Sequence, residues 1–483
     1  MNVVRGLARH GKGLLKRTLR PMLSTSRSGV RASEPEHWGL TRTPSGGLAL
    51  DGIALHDLGQ RWGTPLHIVN AARLRDNARR FLARPAHRES GCEVFYSYKT
   101  NPIPGVLTEL HALGLGAEVI SHYELWLAQQ LGVPADRIVF NGPGKSDAAI
   151  RDAIAAGVQV LNVNHREEIA VVARIASELN RRPRIGLRVT VGQGWSGQFG
   201  IPIEGGQALA AYEEALRSPS LDVVGVHAHR GGMIRSEHEV TSFVGAVLAF
   251  TDELHDRLRL SLQVVNFGGS LATPTVDSLP ARDVRLNRAF HAPLTPPDPA
   301  SALPIERYLA TVVGLVEDFH RARSRPRPRI FIEPGRSVTG DAQMLLAGVM
   351  SIKDQGETAF AILNAGINLA ESCRSEYHQL FPTDHADRPT KVYSIVGPIC
   401  TPGDTLYWAA RMPRLDPGDT VLVMDAGAYF VPFSTSFSYP RPAIVMVDRG
   451  EVKLLRRAEQ FGDLVTFDTA LEDVDPAHRV PRA

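Results

Sequence analysis

This chain has few cysteines, no long apolar run and no internal repeat. Its three cysteines, Cys92, Cys373 and Cys400, are widely spaced, which argues against a disulfide scaffold or a zinc ribbon and favours a reducing compartment. No stretch of 18 apolar residues occurs, so we expect no integral membrane segment. The apolar fraction of 43% and charged fraction of 22% are typical of a soluble globular protein, and 483 residues predict two domains.

Acidic residues are missing from the first 33 positions, which hold eight lysines and arginines. Subtracting those eight charges from the net charge of +3 gives residues 34–483 a net charge of −5. The body therefore gives no reason to expect nucleic-acid binding. We interpret residues 1–35 as a basic, disordered extension of a cytoplasmic protein. An organellar import signal and a membrane-surface helix are the alternatives, since the segment is Arg-rich and Ser-bearing.

Strand-like and helix-like segments alternate from about residue 67 onward. Such alternation with short links predicts parallel strands joined by helices, and the count is close to the eight units of a closed barrel. The predicted barrel strands are Val94–Tyr98, Gly116–Ser121, Ile138–Asn141, Val158–Val163, Arg184–Val191, Leu221–His229, Leu262–Phe267 and Arg329–Ile332.

Two regions break this alternation. Residues 273–304 contain seven prolines and little periodicity, so we expect a lid or a solvated insertion at the mouth of the barrel. After about residue 333 the helical pattern fades and short β-rich runs follow. The expected domains are an N-terminal segment (36–66) joining a β domain, a barrel (67–332) and a C-terminal β domain (333–470).

Five short motifs carry the candidate chemistry, because each combines turn residues with ionisable or nucleophilic ones. The first, Tyr96-Ser-Tyr-Lys-Thr-Asn101, puts Lys99 at the end of an apolar strand, where active sites of barrel enzymes lie. The other four are Gly225-Val-His-Ala-His-Arg-Gly-Gly232, Asn266-Phe-Gly-Gly-Ser270, Glu333-Pro-Gly-Arg336 and Gly397-Pro-Ile-Cys-Thr-Pro-Gly-Asp404.

In this order, the five motifs resemble those of the fold-type III pyridoxal-phosphate decarboxylases, which act on diaminopimelate, ornithine or arginine. The resemblance covers roughly residues 45–465 and implies an α/β fold. That fold is a (β/α)8 TIM-type barrel with a C-terminal β-barrel or β-sandwich domain, as in alanine racemase. It also implies pyridoxal 5'-phosphate as cofactor and a homodimer with shared active sites. Departures from the usual motifs mark the chain as divergent.

The resemblance assigns a role to each matching residue. Lys99 would bind the cofactor aldehyde covalently and later return a proton. Arg336 would bind the phosphate bidentately, and the glycine turn would close on it with backbone N–H groups. The cofactor-binding set is Lys99, Glu118, His229, Gly268, Gly269, Ser270, Glu333, Arg336 and Tyr429. The family usually has glycine where Ser270 stands, and serine shortly after His229, where this chain continues Arg230-Gly231-Gly232.

Glu333 separates the candidate reactions. A carboxylate beside the pyridine nitrogen keeps it protonated, so the ring can accept the electron pair left by carbon dioxide. Racemases of this fold have arginine at the equivalent position, so Glu333 favours decarboxylation over racemisation or epimerisation. A non-catalytic regulator has no need of the complete set of motifs and is a weaker alternative.

His227 and His229 lie two residues apart on a strand, so their side chains face the same way. This spacing could hold a metal ion, but no third ligand is apparent in the sequence. A neutral imidazole stacked on the cofactor ring explains His229 better, and we predict no metal site.

The cysteine turn would come from the partner subunit, with Cys400 as a second catalytic residue that donates a proton to the reacting carbon. Family members that take diamino acids have an acid where Thr401 stands, and diaminopimelate enzymes have Arg-Pro near Ser372-Cys373. We therefore expect a modified, conjugated or carrier-bound amino acid as substrate, as in a secondary-metabolite or siderophore-like pathway, and diaminopimelate as the alternative. The predicted substrate-binding residues are Thr401, Asp404, Arg374 and Tyr377.

Overall fold

The computed structural model describes residues 32–86, 91–356 and 358–468. Nearly all of the predicted basic extension, and the last residues of the predicted β domain, lie outside these ranges. The described residues form two compact units. One is a barrel made of residues 74–273 and 301–340, and the other, called the β domain here, contains the residues up to 73, then 274–300 and 341 onward.

The strands are short apart from the first strand of the C-terminal region, which runs for twelve residues. They are β1 Leu40–Arg42, β2 Leu48–Leu50, β3 Ile53–Ala54, β4 Leu66–Asn70, β5 Glu93–Ser97, β6 Gly116–Val119, β7 Ile138–Phe140, β8 Val160–Val163, β9 Arg184–Thr190, β10 Ile201–Pro202, β11 Asp222–Ala228, β12 Val264–Asn266, β13 Arg329–Ile332, β14 Gln343–Asp354, β15 Thr358–Leu363, β16 Leu380–Pro382, β17 Thr390–Val396, β18 Thr405–Pro413, β19 Thr420–Val423, β20 Ala443–Asp448 and β21 Glu451–Arg456.

Most α-helices lie in the first two thirds of the chain, between or beside the parallel strands. They are Leu55–Trp62, Ala71–Leu82, Pro104–Ala112, His122–Gln130, Asp147–Ala156, Arg166–Glu178, Gln207–Arg217, Glu237–Leu258, Ala281–Phe290 and Ile305–Ala322, with single turns at Arg336–Thr339, Ile367–Ala370, Phe430–Phe433 and Phe461–Leu464. None of the helices in the described ranges has the length and apolar character needed to span a membrane.

Eight parallel strands close the barrel. The order β5-β6-β7-β8-β9-β11-β12-β13 returns to β5, because Phe331 and Ile332 of β13 pair with Glu93 and Val94. These are the eight strands predicted from the sequence, and the predicted barrel is confirmed. The strands are apolar because parallel strands in a barrel are covered on both faces. A buried cluster inside contains Phe95, Val139, Val160, Val224, Val264 and Phe331.

The β domain is a mixed sheet around β14, which pairs with β4, β15 and β19. The predicted second domain rich in β structure is therefore confirmed. Strand β4 lies between β14 and β20, so Leu66–Asn70 belongs to this sheet, although the predicted barrel begins at residue 67. The apolar pattern of β4 fits either domain, since partner strands far away in sequence decide where a short strand lies.

The proline-rich insertion is more ordered than its sequence indicates. Residues 274–300 belong to the β domain and include the helix Ala281–Phe290. Asn287 anchors this helix: its Nδ2 donates to Ala409 O at 3.0 Å, and its Oδ1 accepts from the N–H groups of Trp408 and Ala409 at 3.1 and 3.2 Å. The helix thus packs along β18, and the segment contributes a helix to the β domain.

Candidate active site

Lys99 lies in the single turn Tyr98–Thr100 directly after β5. Its Nζ donates to Ser97 Oγ at 2.6 Å and to Glu118 Oε2 at 2.8 Å. Glu118 is on the neighbouring strand β6, opposite Ser97, and is buried. The barrel register therefore brings the predicted lysine and the predicted acid into contact, and the carboxylate stabilises the charged amine.

Glu333 follows β13 and is only 3% exposed. Its Oε1 accepts hydrogen bonds from Asn141 Nδ2 at 2.8 Å and Asn266 Nδ2 at 2.6 Å, and its Oε2 lies 3.5 Å from His227 Nε2. Burial by itself would raise the pKa of Glu333, but His227, Asn141 and Lys99 together lower it below its usual value. The site therefore holds an ionised carboxylate almost out of contact with water.

Asn141 connects the two acids, which the sequence motifs do not reveal. Its Nδ2 donates to Glu118 Oε1 at 2.9 Å as well as to Glu333, while its Oδ1 accepts from Asn162 Nδ2 at 2.7 Å. Asn141, Asn162 and Asn266 lie in or just after barrel strands that are otherwise apolar. A buried amide in such a strand is the signal that could have identified them, because it needs polar partners.

His229 follows β11 and lies beside the ring of Trp195, with ring centroids 5.5 Å apart. Enclosure in the barrel lowers the pKa of His229 to about 3, and the charges of Lys99 and Arg188 add to this effect. The imidazole is thus neutral at physiological pH. Its Nδ1 is buried and has no hydrogen-bond partner among the described residues.

The turn 268–270 has no room for larger residues at two positions. A Cβ on Gly268, whose φ is +64°, would lie 2.5 Å from His229 Cδ2, and a Cβ on Gly269 would lie 2.3 Å from the carbonyl oxygen of Glu333. Ser270 has a φ of +86°, which favours glycine, and its Oγ accepts a hydrogen bond from Gly231 N at 3.0 Å. The serine side chain therefore ties the glycine turn to the loop after His229.

Arg230, which departs from the usual family motif, stabilises the loop after His229. Its guanidinium donates to Glu239 Oε1 at 2.6 Å, and its carbonyl oxygen accepts from Trp195 N at 2.8 Å. Glu239 also caps the helix Glu237–Leu258. These contacts fix the loop between His229 and that helix.

Arg336 begins the turn Arg336–Thr339 and is half-buried in the barrel unit, three residues after Glu333. Eight of the predicted cofactor-binding residues thus lie in this unit: Lys99, Glu118, His229, Gly268, Gly269, Ser270, Glu333 and Arg336.

The predicted residues of the cysteine turn differ in exposure within the β domain. Cys400 and Thr401 are exposed, whereas Asp404 is 3% exposed. Asp404 accepts hydrogen bonds from the N–H groups of Ile367 and Ile399 at 2.8 and 2.9 Å, so its carboxylate joins two loops. Burial raises the pKa of Asp404, and these two donors oppose the rise.

Three further predicted residues also lie in the β domain. Tyr429 has a φ of +68° and begins the turn Phe430–Phe433. Tyr377 donates from its hydroxyl to Gln379 Oε1 at 2.7 Å. Arg374 is exposed, with its guanidinium 3.8 Å from Glu371.

The barrel residues fit pyridoxal phosphate. Lys99 supplies an amine, Glu333 an ionised and buried carboxylate, and the turn at Gly268 and Gly269 a backbone with no side chain in the way. The unpartnered Nδ1 and neutral ring of His229 suit a group that stacks on an aromatic cofactor.

Comparisons with known proteins agree with this fit. The family model "Pyridoxal-dependent decarboxylase, pyridoxal binding domain" matches residues 75–340. The diaminopimelate decarboxylase of Aquifex aeolicus is 30% identical over 436 residues, which cover 87% of this chain and 95% of that protein. The Archaeoglobus fulgidus enzyme of the same name is 30% identical over 440 residues, covering 88% and 97%.

Solved structures show the same fold. A crystal structure from Aquifex aeolicus has a TM-score of 0.76 and 28% identity, covering 90% of this chain and 99% of that one. Diaminopimelate decarboxylase from M. jannaschii, in complex with L-lysine, has a TM-score of 0.78 and 24% identity, covering 91% and 98%. The chain therefore belongs to the fold-type III pyridoxal-phosphate-dependent decarboxylases, as a divergent member that uses this cofactor to decarboxylate an amino acid.

Proposed function

We propose that the chain removes one α-carboxylate of diaminopimelate. The relatives that match most of their own length carry the name of that activity, so they favour the alternative in the sequence analysis over a modified substrate. The observation that carries the reaction type is the buried, ionised Glu333, which accepts hydrogen bonds from Asn141 and Asn266.

Pyridoxal phosphate would supply an electron sink here, because a protonated pyridine ring can accept the electron pair left by carbon dioxide. In this proposal, Lys99 would hold the aldehyde carbon, His229 would pack on the ring, and the turn 268–270 with Arg336 and Tyr429 would bind the phosphate.

Each ionisable residue of the proposed site has a role in holding or transferring a proton. Glu333 would keep a proton on the pyridine nitrogen, since the pKa of its own carboxyl group is lowered and the cofactor nitrogen would be the better base. Glu118 accepts a hydrogen bond from Lys99 Nζ and would keep that amine beside the reacting carbon. Lys99, or Cys400 of the partner subunit in the expected homodimer, would return a proton to the carbon.

A second candidate is decarboxylation of a conjugated or otherwise modified amino acid. The observation in its favour is that Thr401 stands where members that take diamino acids usually have an acid, and Ser372 where diaminopimelate enzymes have an arginine. Each charge-assisted contact contributes roughly 1.5–3 kcal/mol, so losing two could change substrate preference by orders of magnitude.

The test is release of labelled carbon dioxide by the purified, cofactor-loaded protein from meso-diaminopimelate, lysine, ornithine, arginine and an N-acylated diamino acid. Preferred turnover of diaminopimelate supports the proposal, and release from the acylated compound alone supports the second candidate. Lys99→Ala should lose both turnover and the visible absorbance band of the bound cofactor. Turnover that survives this change would contradict the assigned role of Lys99.

A further inference from the structure

Trp195 lies in the barrel unit, in the loop 191–200 that follows strand β9. Its indole stacks on the ring of Phe199, with ring centroids 5.7 Å apart and an interplanar angle of 25°. The indole also packs on the imidazole of His229, at a centroid distance of 5.5 Å. At the other end, the guanidinium carbon of Arg188 lies 4.7 Å from the centroid of Phe199. The four side chains thus form one continuous column, called the aromatic column here.

Hydrogen bonds hold this loop from two sides. The N–H of Trp195 donates to the carbonyl oxygen of Arg230 at 2.8 Å. On the other side, Asn164 Nδ2 donates to Gln198 O at 2.9 Å, and Asn164 Oδ1 accepts from Gly200 N at 3.2 Å. Asn164 is 2% exposed, so breaking its bonds would leave buried polar atoms without partners. The backbone on both sides of the indole is therefore fixed.

Two glycines allow the loop to lie directly against the loop after His229. A Cβ on Gly231, whose φ is +74°, would lie 2.4 Å from the indole ring of Trp195. A Cβ on Gly194, whose φ is +81°, would lie 1.6 Å from the carbonyl oxygen of Arg230. Larger residues would strain the backbone at both positions and separate the two loops. The contact between the indole and the imidazole thus depends on both glycines.

The imidazole of His229 is held by packing at one end of the column. Its Nδ1 is buried and has no hydrogen-bond partner among the described residues, so this atom does not anchor the ring. The indole of Trp195 and the turn at Gly268 contact the imidazole instead. Aromatic pairs at such distances contribute to stability beyond the area that they bury. Trp195 lies outside the five sequence motifs, and only the folded barrel brings it to His229.

We propose that Trp195 is a positioning residue for the cofactor and acts through His229. The inference rests on the proposed function, in which His229 would pack on the cofactor ring. Trp195 holds the imidazole in one orientation, and Phe199 with Arg188 extends this support. A ring that is already oriented loses less conformational freedom when a flat group stacks on it, so the cofactor would bind more tightly.

The test is titration of the cofactor-free protein with pyridoxal phosphate, followed by absorbance and circular dichroism in the visible band of the bound cofactor. Trp195→Leu should raise the Kd about threefold to tenfold, because one aromatic contact of His229 is lost. It should also reduce the visible ellipticity, which reports how the cofactor ring is held. Trp195→Phe keeps a flat ring and should restore most of both signals.

Trp126→Leu is the matched control. Trp126 is 51% exposed, against 47% for Trp195, and it stacks on Tyr123 in the helix His122–Gln130 of the same unit. This change removes a half-exposed indole and its aromatic partner contact away from His229, so Kd and visible ellipticity should stay at their wild-type values. Equal changes in Trp126→Leu and Trp195→Leu would overturn the proposal.

A double-mutant cycle with His229→Ala separates positioning from a direct effect. If Trp195 acts through His229, Trp195→Leu should add little further loss of affinity in the His229→Ala background. The covalent bond expected at Lys99 keeps cofactor binding measurable there. An additive loss would overturn the proposal, as would a wild-type Kd and ellipticity in Trp195→Leu. Far-ultraviolet circular dichroism of each variant checks folding.

The positioning role and the proposed function can fail separately. If the cycle couples Trp195 to His229 but diaminopimelate is not decarboxylated, the positioning role stands and the proposed function fails. If diaminopimelate is decarboxylated while Trp195→Leu binds the cofactor like wild type, the proposed function stands and the positioning role fails.

Discussion

The ionised carboxylate of Glu333 is the central electrostatic feature of the candidate site. Water is nearly excluded, which would normally favour the neutral acid, yet two amide donors and His227 favour the ionised form more strongly. Fixed partners of this kind are already oriented before a reaction begins, so in the proposed site the charge would act on the cofactor nitrogen without reorganisation.

Glu333→Gln should lower kcat by about a hundredfold or more while folding is retained, because the neutral amide cannot hold a proton on the pyridine nitrogen. Steady-state kinetics with saturating cofactor measure this. Glu317→Gln is a control, since Glu317 is a buried glutamate that pairs with Arg327 elsewhere in the barrel. An equal loss of kcat in both variants would point to a general structural effect.

Asp425 titrates in a range that makes stability depend on pH. It is fully buried, and its Oδ1 accepts from Trp38 Nε1 at 2.9 Å and Thr275 Oγ1 at 2.8 Å. Burial raises the pKa of Asp425 to about 6 against these donors. The folded state thus holds the proton more tightly than the unfolded chain, so the contribution of this group to the free energy of unfolding falls as pH rises from about 4 to about 6.

Asp425→Asn should remove this pH-dependent decrease in the free energy of unfolding. Relative to wild type, the variant should gain on the order of 2 kcal/mol in unfolding free energy between pH 4 and pH 7. Thermal or denaturant unfolding across this range measures it, with the exposed Asp57→Asn as control. Parallel pH profiles for wild type and Asp425→Asn would show that Asp425 does not titrate there.

Among the elements, the turn after β12 is tightly restricted by its surroundings. Gly269→Ala would push a methyl group into the carbonyl of Glu333, so we expect the turn and Glu333 to shift and the cofactor to bind at least about tenfold more weakly. Titration of the cofactor-free protein with pyridoxal phosphate measures this.

Gly245→Ala is the matched control for that turn. Gly245 lies within the helix Glu237–Leu258, and a Cβ there would meet no atom within 4 Å. This change should leave cofactor binding unaltered and stabilise the fold by up to roughly 1 kcal/mol. Unchanged cofactor affinity in Gly269→Ala would mean that the turn adapts.

At the scale of the whole molecule, we propose a homodimer in which each site combines Lys99 of one subunit with Cys400 of the other. Mixing inactive Lys99→Ala and Cys400→Ala under subunit exchange should restore about a quarter of wild-type activity, because half of the dimers are mixed and each has one intact site. Absence of recovery, with exchange shown by differently tagged subunits, would contradict shared sites.

Local sequence patterns determined the barrel strands and the short motifs of the candidate site. Runs of apolar residues separated by helical segments specify the eight barrel strands, because covered parallel strands need apolar residues on both faces. Lys99, His229, the turn at Gly268 and Glu333 are recognisable because each lies in a short motif at the end of a strand.

Tertiary structure alone decided the rest. Asn141 and Glu333 are 192 residues apart, and only barrel closure brings them into contact. Strand β4 joins the β domain because it pairs with β14 and β20, which lie 274–280 and 377 residues later in the chain. The position of the helix Ala281–Phe290 likewise depends on docking against β18. Each is a pairing of distant segments, which no local pattern records.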